Sequence, residues 1–389
     1  MPIPTPRTHP RRGHPHRGHG ISGKIAFLLA LLVFLTGCQD LGFRLPPCPD
    51  RSAEPVHLVP SGEGEPGFRS TEVQGGWTEG GVEPWVSGTG WHLDEAVYRG
   101  ECLDLSAETR HARDVDFSPD GSHLFVVARD RERVISYRLA TPWVPDSGVA
   151  TGYLELSAEL NSRADHGARA HGIYLRKDDG RRLWIWNRTE IWEYTLDIPW
   201  ELESARPTGY KSFEGTILRG HGIDFRPDGR RLFVDDRNLA AVFQFVLDEP
   251  WDVTSAVLET TLDISDQEKA VRGIQFRPDG ERLFVMDTRR REILEYDLHH
   301  PWELRDARFI RALSVSGQTR NPRSITWSAD GSRFFVTEVP RRLALVRRPA
   351  LFSYEVVQTP TEAPAAPVPS VRRVPPEGVG EAVGPAPSP

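Results

Sequence analysis

Five basic side chains recur at one position of a repeated sequence pattern, each directly before a short apolar segment. They are Arg113, His171, His221, Arg272 and Arg323. An arginine guanidinium presents a planar fork of donors that suits carboxylate and phosphate groups, and a histidine ring can donate or accept a hydrogen bond. If the fold brings the five copies together, the sequence predicts a basic ring that binds an anion such as a carboxylate, a phosphate or an acidic glycan.

A second recurring position carries an acid in three copies, while the first two copies have Ala128 and Asn187. The acids are Asp236, Asp287 and Glu338. One interpretation pairs each acid with the base of its own copy, so that the ring only balances charge: His221 with Asp236, Arg272 with Asp287 and Arg323 with Glu338. The other leaves the bases to an anion, which is best placed beside Arg113 and His171 because their copies lack an acid.

Catalytic chemistry has weaker support in the sequence. Gly-x-Ser-x-Gly, His-Glu-x-x-His, Cys-x-x-Cys and phosphate-loop motifs are all absent. The residues that suit general acid–base work in adjacent copies are His171, His221, Asp224 and Asp236. They make a hydrolase or lactonase an alternative, but we assign no catalytic residue. A metal held by Asp236, Asp287 and Glu338 is disfavoured by their basic partners, so no metal and no cofactor is predicted.

The elements that must position these residues are repeated β-hairpins. Four copies read VDFSPDGSHLFVV, IYLRKDDGRRLWIW, IDFRPDGRRLFVDD and IQFRPDGERLFVMD, and the fifth reads ITWSADGSRFFVTE. Alternating apolar and polar residues around an Asp-Gly turn are typical of a β-hairpin. A third strand follows each hairpin, and in four copies a Pro-Trp loop and a fourth strand come next. A period of about 50 residues indicates a repeat architecture.

The last copy lacks its Pro-Trp loop and fourth strand, and matching parts stand at the front of the repeat region. Trp91-His-Leu-Asp-Glu-Ala96 and the following YRGECLDLS correspond to Trp302-Glu-Leu-Arg-Asp-Ala307 and FIRALSVS. An N-terminal strand that completes the C-terminal sheet closes a ring of blades. We therefore predict an all-β, five-bladed β-propeller of four-stranded blades over residues 91–357. A solenoid is the alternative architecture, but it would need capping repeats.

Tryptophan also recurs once in each copy, and two explanations compete. The positions are Trp91, Trp143, Trp200, Trp251 and Trp302. Aromatic faces that recur around a ring suggest carbohydrate stacking. Packing of each ring against the Asp-Gly hairpin explains the recurrence more simply, and we favour it.

The N-terminus predicts export and lipidation. Basic residues 7–24 precede an apolar run at 25–35 that is short for a membrane span, and Leu35-Thr36-Gly37-Cys38 follows. This order resembles the lipobox of bacterial lipoproteins. The resemblance implies a signal peptide over residues 1–37, cleavage before Cys38 and acylation of Cys38, which would give stable anchoring. Gln39 after the cysteine favours the outer membrane over the inner, by analogy with enterobacterial sorting.

Composition fits a secreted globular product. Five basic and no acidic residues lie before Cys38, so cleavage takes the formal charge from −7 to −12, which disfavours nucleic acid as a partner. Residues 38–90 are predicted as a tether and residues 358–389 as a disordered Pro-rich tail. An export compartment permits a disulfide between Cys48 and Cys102, although two free thiols are equally compatible with the sequence.

The Pro-Asp-Gly-x-x-Leu-Phe-Val hairpins resemble those of YVTN-type and related bacterial periplasmic β-propellers. The resemblance covers about 265 residues. It implies the fold but no activity, because such propellers include binding modules and enzymes. We expect a membrane-anchored binding or scaffold module in the bacterial envelope, whose partner is a protein, a glycan or a small anion. The alternatives are the hydrolase described above and a passive structural component of the envelope.

Overall fold

The computed structural model describes residues 48, 56–58, 60–63, 90–156, 170–267, 270–340 and 348–357. Within them, five antiparallel sheets correspond to the five repeats, so the predicted five-bladed β-propeller is confirmed. The predicted signal peptide, Cys38 and the Pro-rich tail lie outside the described residues. No helix in the described part of the chain is long and apolar enough to cross a membrane.

The blades are numbered in chain order, and the strands of each are given from the channel outwards. Blade 1 contains Ala112–Phe117, His123–Ala128, Arg133–Leu139 and Gly148–Glu155. Blade 2 contains Gly172–Leu175, Arg182–Asn187, Glu190–Leu196 and Ala205–Ser212. Blade 3 contains Gly220–Phe225, Arg231–Asp236, Ala241–Val246 and Val257–Asp263. Blade 4 contains Val271–Phe276, Arg282–Asp287, Glu292–Leu298 and Ala307–Ser314.

Blade 5 closes the ring as the repeats predict. Its strands are Pro322–Trp327, Arg333–Glu338, Ala350–Val356 and, from the N-terminal side of the domain, Ala96–Asp104. The last two pair antiparallel, with Ala350 opposite Asp104 and Val356 opposite Ala96. A one-turn 3₁₀ helix precedes the outer strand of each blade: Leu93–Glu95, Pro145–Ser147, Leu202–Ser204, Val253–Ser255 and Leu304–Asp306.

Part of the predicted tether adds short strands to the outer edges of two neighbouring blades. Val56–His57 pairs with the closing strand of blade 5, and Pro60–Glu63 pairs with the outer strand of blade 4. Cys48 forms a disulfide with Cys102 of the closing strand, with 5.8 Å between the Cα atoms. Three links thus fasten this segment across the closure of the ring.

Each recurring tryptophan packs against the glycine of its hairpin, so the packing explanation is confirmed. In blade 3, Trp251 donates its backbone N–H to the carbonyl of Gly229 at 2.9 Å. A Cβ on Gly229 would lie 2.5 Å from the indole ring, so only glycine leaves room. The same ring stacks on Trp184 of blade 2, with 5.5 Å between centroids. The motif therefore joins a hairpin, its loop and the preceding blade.

Polar side chains near the ends of the innermost strands of blades 1, 3 and 4 link each of these blades to the next. Asp116 accepts the amide of Leu175 at 2.7 Å, and Asp224 accepts that of Phe276 at 2.8 Å. The Gln275 side chain accepts the amide of Trp327 in the same way. An acid at this position satisfies a backbone group that the neighbouring strand cannot, which explains polar residues in an otherwise apolar strand.

Candidate functional site

The five predicted bases lie at one end of the innermost strands, and four of them occupy a β-bulge. Strand pairing loses register between Ala112 and Val115 in blade 1, and at the equivalent place in blades 3, 4 and 5. A bulge leaves residues unpaired and redirects their side chains. In blade 2 the strand begins one residue after His171, whose N–H donates to the carbonyl of Trp186 at 2.8 Å. The structure thus places all five bases at one mouth of the channel, here called the basic mouth.

Glycine after the base lets neighbouring innermost strands approach closely. A Cβ on Gly172 would lie 2.3 Å from the carbonyl oxygen of His221, and one on Gly222 would lie 2.7 Å from the amide nitrogen of Ile274. Such distances are far below van der Waals contact, so a side chain there would push the blades apart. The His-Gly and Arg-Gly dipeptides of blades 2, 3 and 4 therefore draw the bases of adjacent blades together.

The positive charge of Arg113 is poorly balanced. Its guanidinium is largely buried, and neither Nε nor Nη1 has a hydrogen-bond partner within the described residues. Burial, and then repulsion by four further arginines, lowers the pKa of Arg113 to about 8; the four are Arg323, Arg129, Arg219 and Arg237. Because a guanidinium stays protonated in proteins, this shift measures the cost of an uncompensated buried charge.

A cavity of about 350 Å³ opens beside Arg113. Its lining is formed by blades 5 and 1: His111, Arg113, Arg129, Asn321, Arg323, Val339 and Pro340. Burial is the main cause that lowers the pKa of His111, and Arg113 adds to it. The cavity therefore has cationic and neutral donors on its wall and room for a small ligand.

His171 and His221 lie edge to face beside this cluster, with 4.5 Å between their ring centroids. Burial holds the pKa of each far below its ordinary range, and the positive charge of Arg113 adds to the effect. Both rings are therefore neutral near pH 7. Nδ1 of His221 lies 3.1 Å from the carbonyl oxygen of Arg219 and must donate there, so its Nε2 is a buried acceptor. That Nε2 and Nδ1 of His171 have no hydrogen-bond partner in the described residues.

The predicted pairing of bases with acids of the same blade is wrong in blades 3 and 4. Asp236 accepts the loop amides of Arg219 and Asn238, at 2.9 and 2.7 Å, and Asp287 accepts those of Arg289 and Arg290. Neither carboxylate makes an ion pair with the base of its own blade among the residues described. In blade 5, Glu338 accepts the amide of Arg320 at 3.2 Å. These acids accept hydrogen bonds from the backbone N–H groups of the loops. Those N–H groups lie next to the carboxylates and need an acceptor, whereas the bases lie farther away.

Of the residues suggested for acid–base catalysis, only His171 and His221 lie in contact, and within the described residues no hydrogen bond joins either ring to Asp224 or Asp236. Asp224 lies three residues along the strand from His221, roughly 10 Å away, and its carboxylate accepts the amides of Phe225 and Phe276. Asp236 is held by loop amides, as described above. Among the described residues, no group of three or more His, Cys, Asp or Glu side chains is arranged to hold a metal ion.

Three residues of the basic mouth were missed by the repeat alignment: His111, Arg219 and Asn321. Each stands two places before the base of its blade. Extending the aligned register by two residues towards the N-terminus would have found them.

Comparison with known proteins gives structural similarity without a family. No family model matches the chain, and no curated protein matches it. A protein of unknown function from Desulfotomaculum acetoxidans aligns with 15% identity and a TM-score of 0.37, over 58% of this chain and 62% of its own length. A protein from Lactobacillus plantarum aligns with 13% identity and a TM-score of 0.40, over 64% and 72%. A candidate 6-phosphogluconolactonase from Bacteroides uniformis aligns with 14% identity and a TM-score of 0.38, over 67% and 78%. At these values the similarity carries neither an activity nor a ligand to this chain.

Proposed function

We propose that this protein is a membrane-anchored binding module whose β-propeller holds a small anion at the basic mouth. The observation that carries the proposal is the buried guanidinium of Arg113, with two nitrogens that lack a partner among the described residues and a pKa lowered to about 8. A carboxylate or phosphate would supply both the missing acceptors and the missing negative charge. Charge-assisted hydrogen bonds of this kind are the strong ones.

The size and composition of the site favour a small ligand over a macromolecular polyanion. A cavity of about 350 Å³ is at the lower end of small-molecule sites. The whole chain has a net charge of −7, which would repel an extended nucleic acid. The neutral His221 ring adds a hydrogen-bond acceptor beside the cations, suited to a hydroxyl or amide of the same ligand.

The sequence around Cys38 supports the anchoring part of the proposal. Leu35-Thr36-Gly37-Cys38 follows a basic segment and an apolar run in the order of a bacterial lipobox. Acylation at Cys38 would hold the propeller at an envelope membrane, with the outer membrane favoured by Gln39. The anion would then be a free metabolite, an acidic group of an envelope glycan or a side chain of a partner protein.

Thermal unfolding with added anions tests the binding function. We expect phosphate or citrate, compared with chloride at equal ionic strength, to raise the Tm of the mature protein by several degrees, as ligand at about 100 Kd adds roughly 2.7 kcal/mol. Arg113→Met keeps the aliphatic stem but removes the charge, so it should abolish this rise without lowering the Tm of the free protein.

Arg206→Ala is the matched control, because Arg206 is exposed on the outer strand of blade 2 and pairs with Asp197. It should retain the full response to anions. An unchanged response in Arg113→Met would overturn the proposal. If no anion shifts the Tm of the wild type, the alternative of a passive envelope component is favoured instead.

A further inference from the structure

The opposite mouth of the channel contains a second cavity, of about 230 Å³, with aromatic walls. It lies at the far ends of the innermost strands, away from the bulges that carry the bases. Its rim is formed by tryptophans of several blades: Trp91, Trp143, Trp251, Trp302 and Trp327. Isoleucines of four blades line its wall, and three buried carboxylates border the same space: Asp114, Asp116 and Asp224. We call this region the aromatic mouth.

Asp116 and Asp224 occupy the same repeat position but differ in their cations. Both accept their own next amide and one amide of the following blade. Asp116 is also bound by the Nζ of Lys177 from blade 2, which donates to the carbonyl of Phe117 at 2.9 Å as well. The residue that corresponds to Lys177 in blade 4 is Pro278, which has no charge to offer Asp224.

The electrostatics of Asp224 reflect this difference. Burial is the main cause that raises its pKa to about 7, and repulsion by Asp116 adds to the rise. Lys177 and the two backbone amides lower the pKa only in part. A cation placed beside Asp224 would therefore stabilise the ionised carboxylate.

The aromatic rings of this mouth already hold cations of the chain itself. The guanidinium carbon of Arg176 lies 5.0 Å from the ring centroid of Trp251, and Nζ of Lys177 lies 5.4 Å from that of Tyr174. Cation–π contacts of this length are attractive, most of all with tryptophan. An ammonium ligand would find aromatic faces and a carboxylate in one cavity.

Because no lysine in the described part of the chain contacts the carboxylate of Asp224 and the walls of the cavity are aromatic, we propose that the aromatic mouth binds a small organic primary amine. The ammonium group lies against Asp224, where its N–H groups donate to the carboxylate, and the apolar body lies between Trp251 and Trp302. This site is distinct from the anion site, because the two occupy opposite mouths of the channel and share no residue.

Tryptophan fluorescence with benzylamine as the probe tests the proposal, and benzyl alcohol serves as its neutral counterpart. We expect saturable quenching by benzylamine and at least tenfold weaker binding of benzyl alcohol, about the effect of losing one charge-assisted hydrogen bond. Asp224→Asn should reduce benzylamine affinity by a similar factor. Equal binding of the two probes, or no saturable binding of benzylamine, would overturn the proposal.

Pro278→Lys provides a test that leaves Asp224 intact. The new lysine takes the place that Lys177 has beside Asp116, so it should occupy the carboxylate and weaken benzylamine binding about tenfold. Ala329→Lys is the matched control, since it adds the same charge at the same rim, where the facing residue of the preceding blade is the uncharged Gln275. The proposal fails if Pro278→Lys binds benzylamine as well as Ala329→Lys does. Arg113→Met should bind benzylamine normally, which separates this site from the anion site.

Discussion

At the scale of single residues, buried groups along the channel oppose one another in their dependence on pH. Burial lowers the pKa of His171 and His221, so the unfolded chain binds protons at these histidines more readily than the folded protein does. Their effect is to reduce stability as the pH falls through about 6.5. Burial acts oppositely on Asp235 and Asp224, whose pKa values rise to about 8 and about 7, so these acids favour the folded state as the pH falls.

Replacing His171 separates the two effects. In His171→Asn the histidine contribution is halved while both aspartates stay, so the free energy of unfolding of the variant should rise relative to that of the wild type when the pH is lowered from 7.5 to 5.5. The free energy of unfolding from urea titrations at the two pH values measures this difference. His57→Asn, at an exposed position of the short strand on blade 5, serves as control and should follow the wild type. An identical change in stability for His171→Asn and the wild type would contradict the assignment of His171 as a buried neutral group.

At the scale of elements, the glycine and tryptophan of each hairpin act as one unit. Gly229 has a φ of +72°, and its added Cβ would meet the Trp251 ring, so Gly229→Ala combines backbone strain with a steric clash. We expect a destabilisation of about 2 kcal/mol or more. Gly317→Ala is the control, because nothing lies within 4 Å of a Cβ there and the change should be nearly neutral. Thermal denaturation of the two variants makes the comparison, and equal Tm values would refute the packing role of the pair.

The repeats allowed the elements to be predicted better than the contacts of the site. Alternation around Asp-Gly predicts the hairpins, and the split copy at Trp91 predicts the closing strand, because both depend on local pattern and on matching sequence. The bulge at Arg113 and Asp114 does not change that pattern, so the sequence does not predict it. The alignment therefore placed the bases in one ring, but in blades 3 and 4 it paired them with acids that are instead bound to loop amides. The sequence of Pro60–Glu63 has neither alternating apolar and polar residues nor β-branched residues, so it does not predict a strand. The segment is a strand because it pairs with the outer strand of blade 4.

At the scale of the whole molecule, the propeller has a polar axis. Arginines surround a cavity at one channel mouth, and at the other mouth tryptophans and three buried carboxylates line a second cavity. The innermost strands connect the two mouths, with bulges and bases at their first residues and blade-linking acids near their last. The same five strands therefore present two sites of opposite chemistry, which both depend on a closed ring.

Closure of that ring is reinforced by the N-terminal segment, and the disulfide allows its contribution to be measured. Cys48 and Cys102 are 54 residues apart, so the bond restricts the unfolded chain and should add about 2–4 kcal/mol to stability. Cys48→Ser should lower the Tm by several degrees and make it insensitive to dithiothreitol, whereas dithiothreitol should lower the Tm of the wild type to the same value. Because the bond joins this segment to the closing strand, hydrogen exchange in Cys48→Ser should quicken first in Ala96–Asp104 and its partner Ala350–Val356. Faster exchange spread evenly over all five blades would instead mean that the bond stabilises the fold as a whole and has no particular role at the closure.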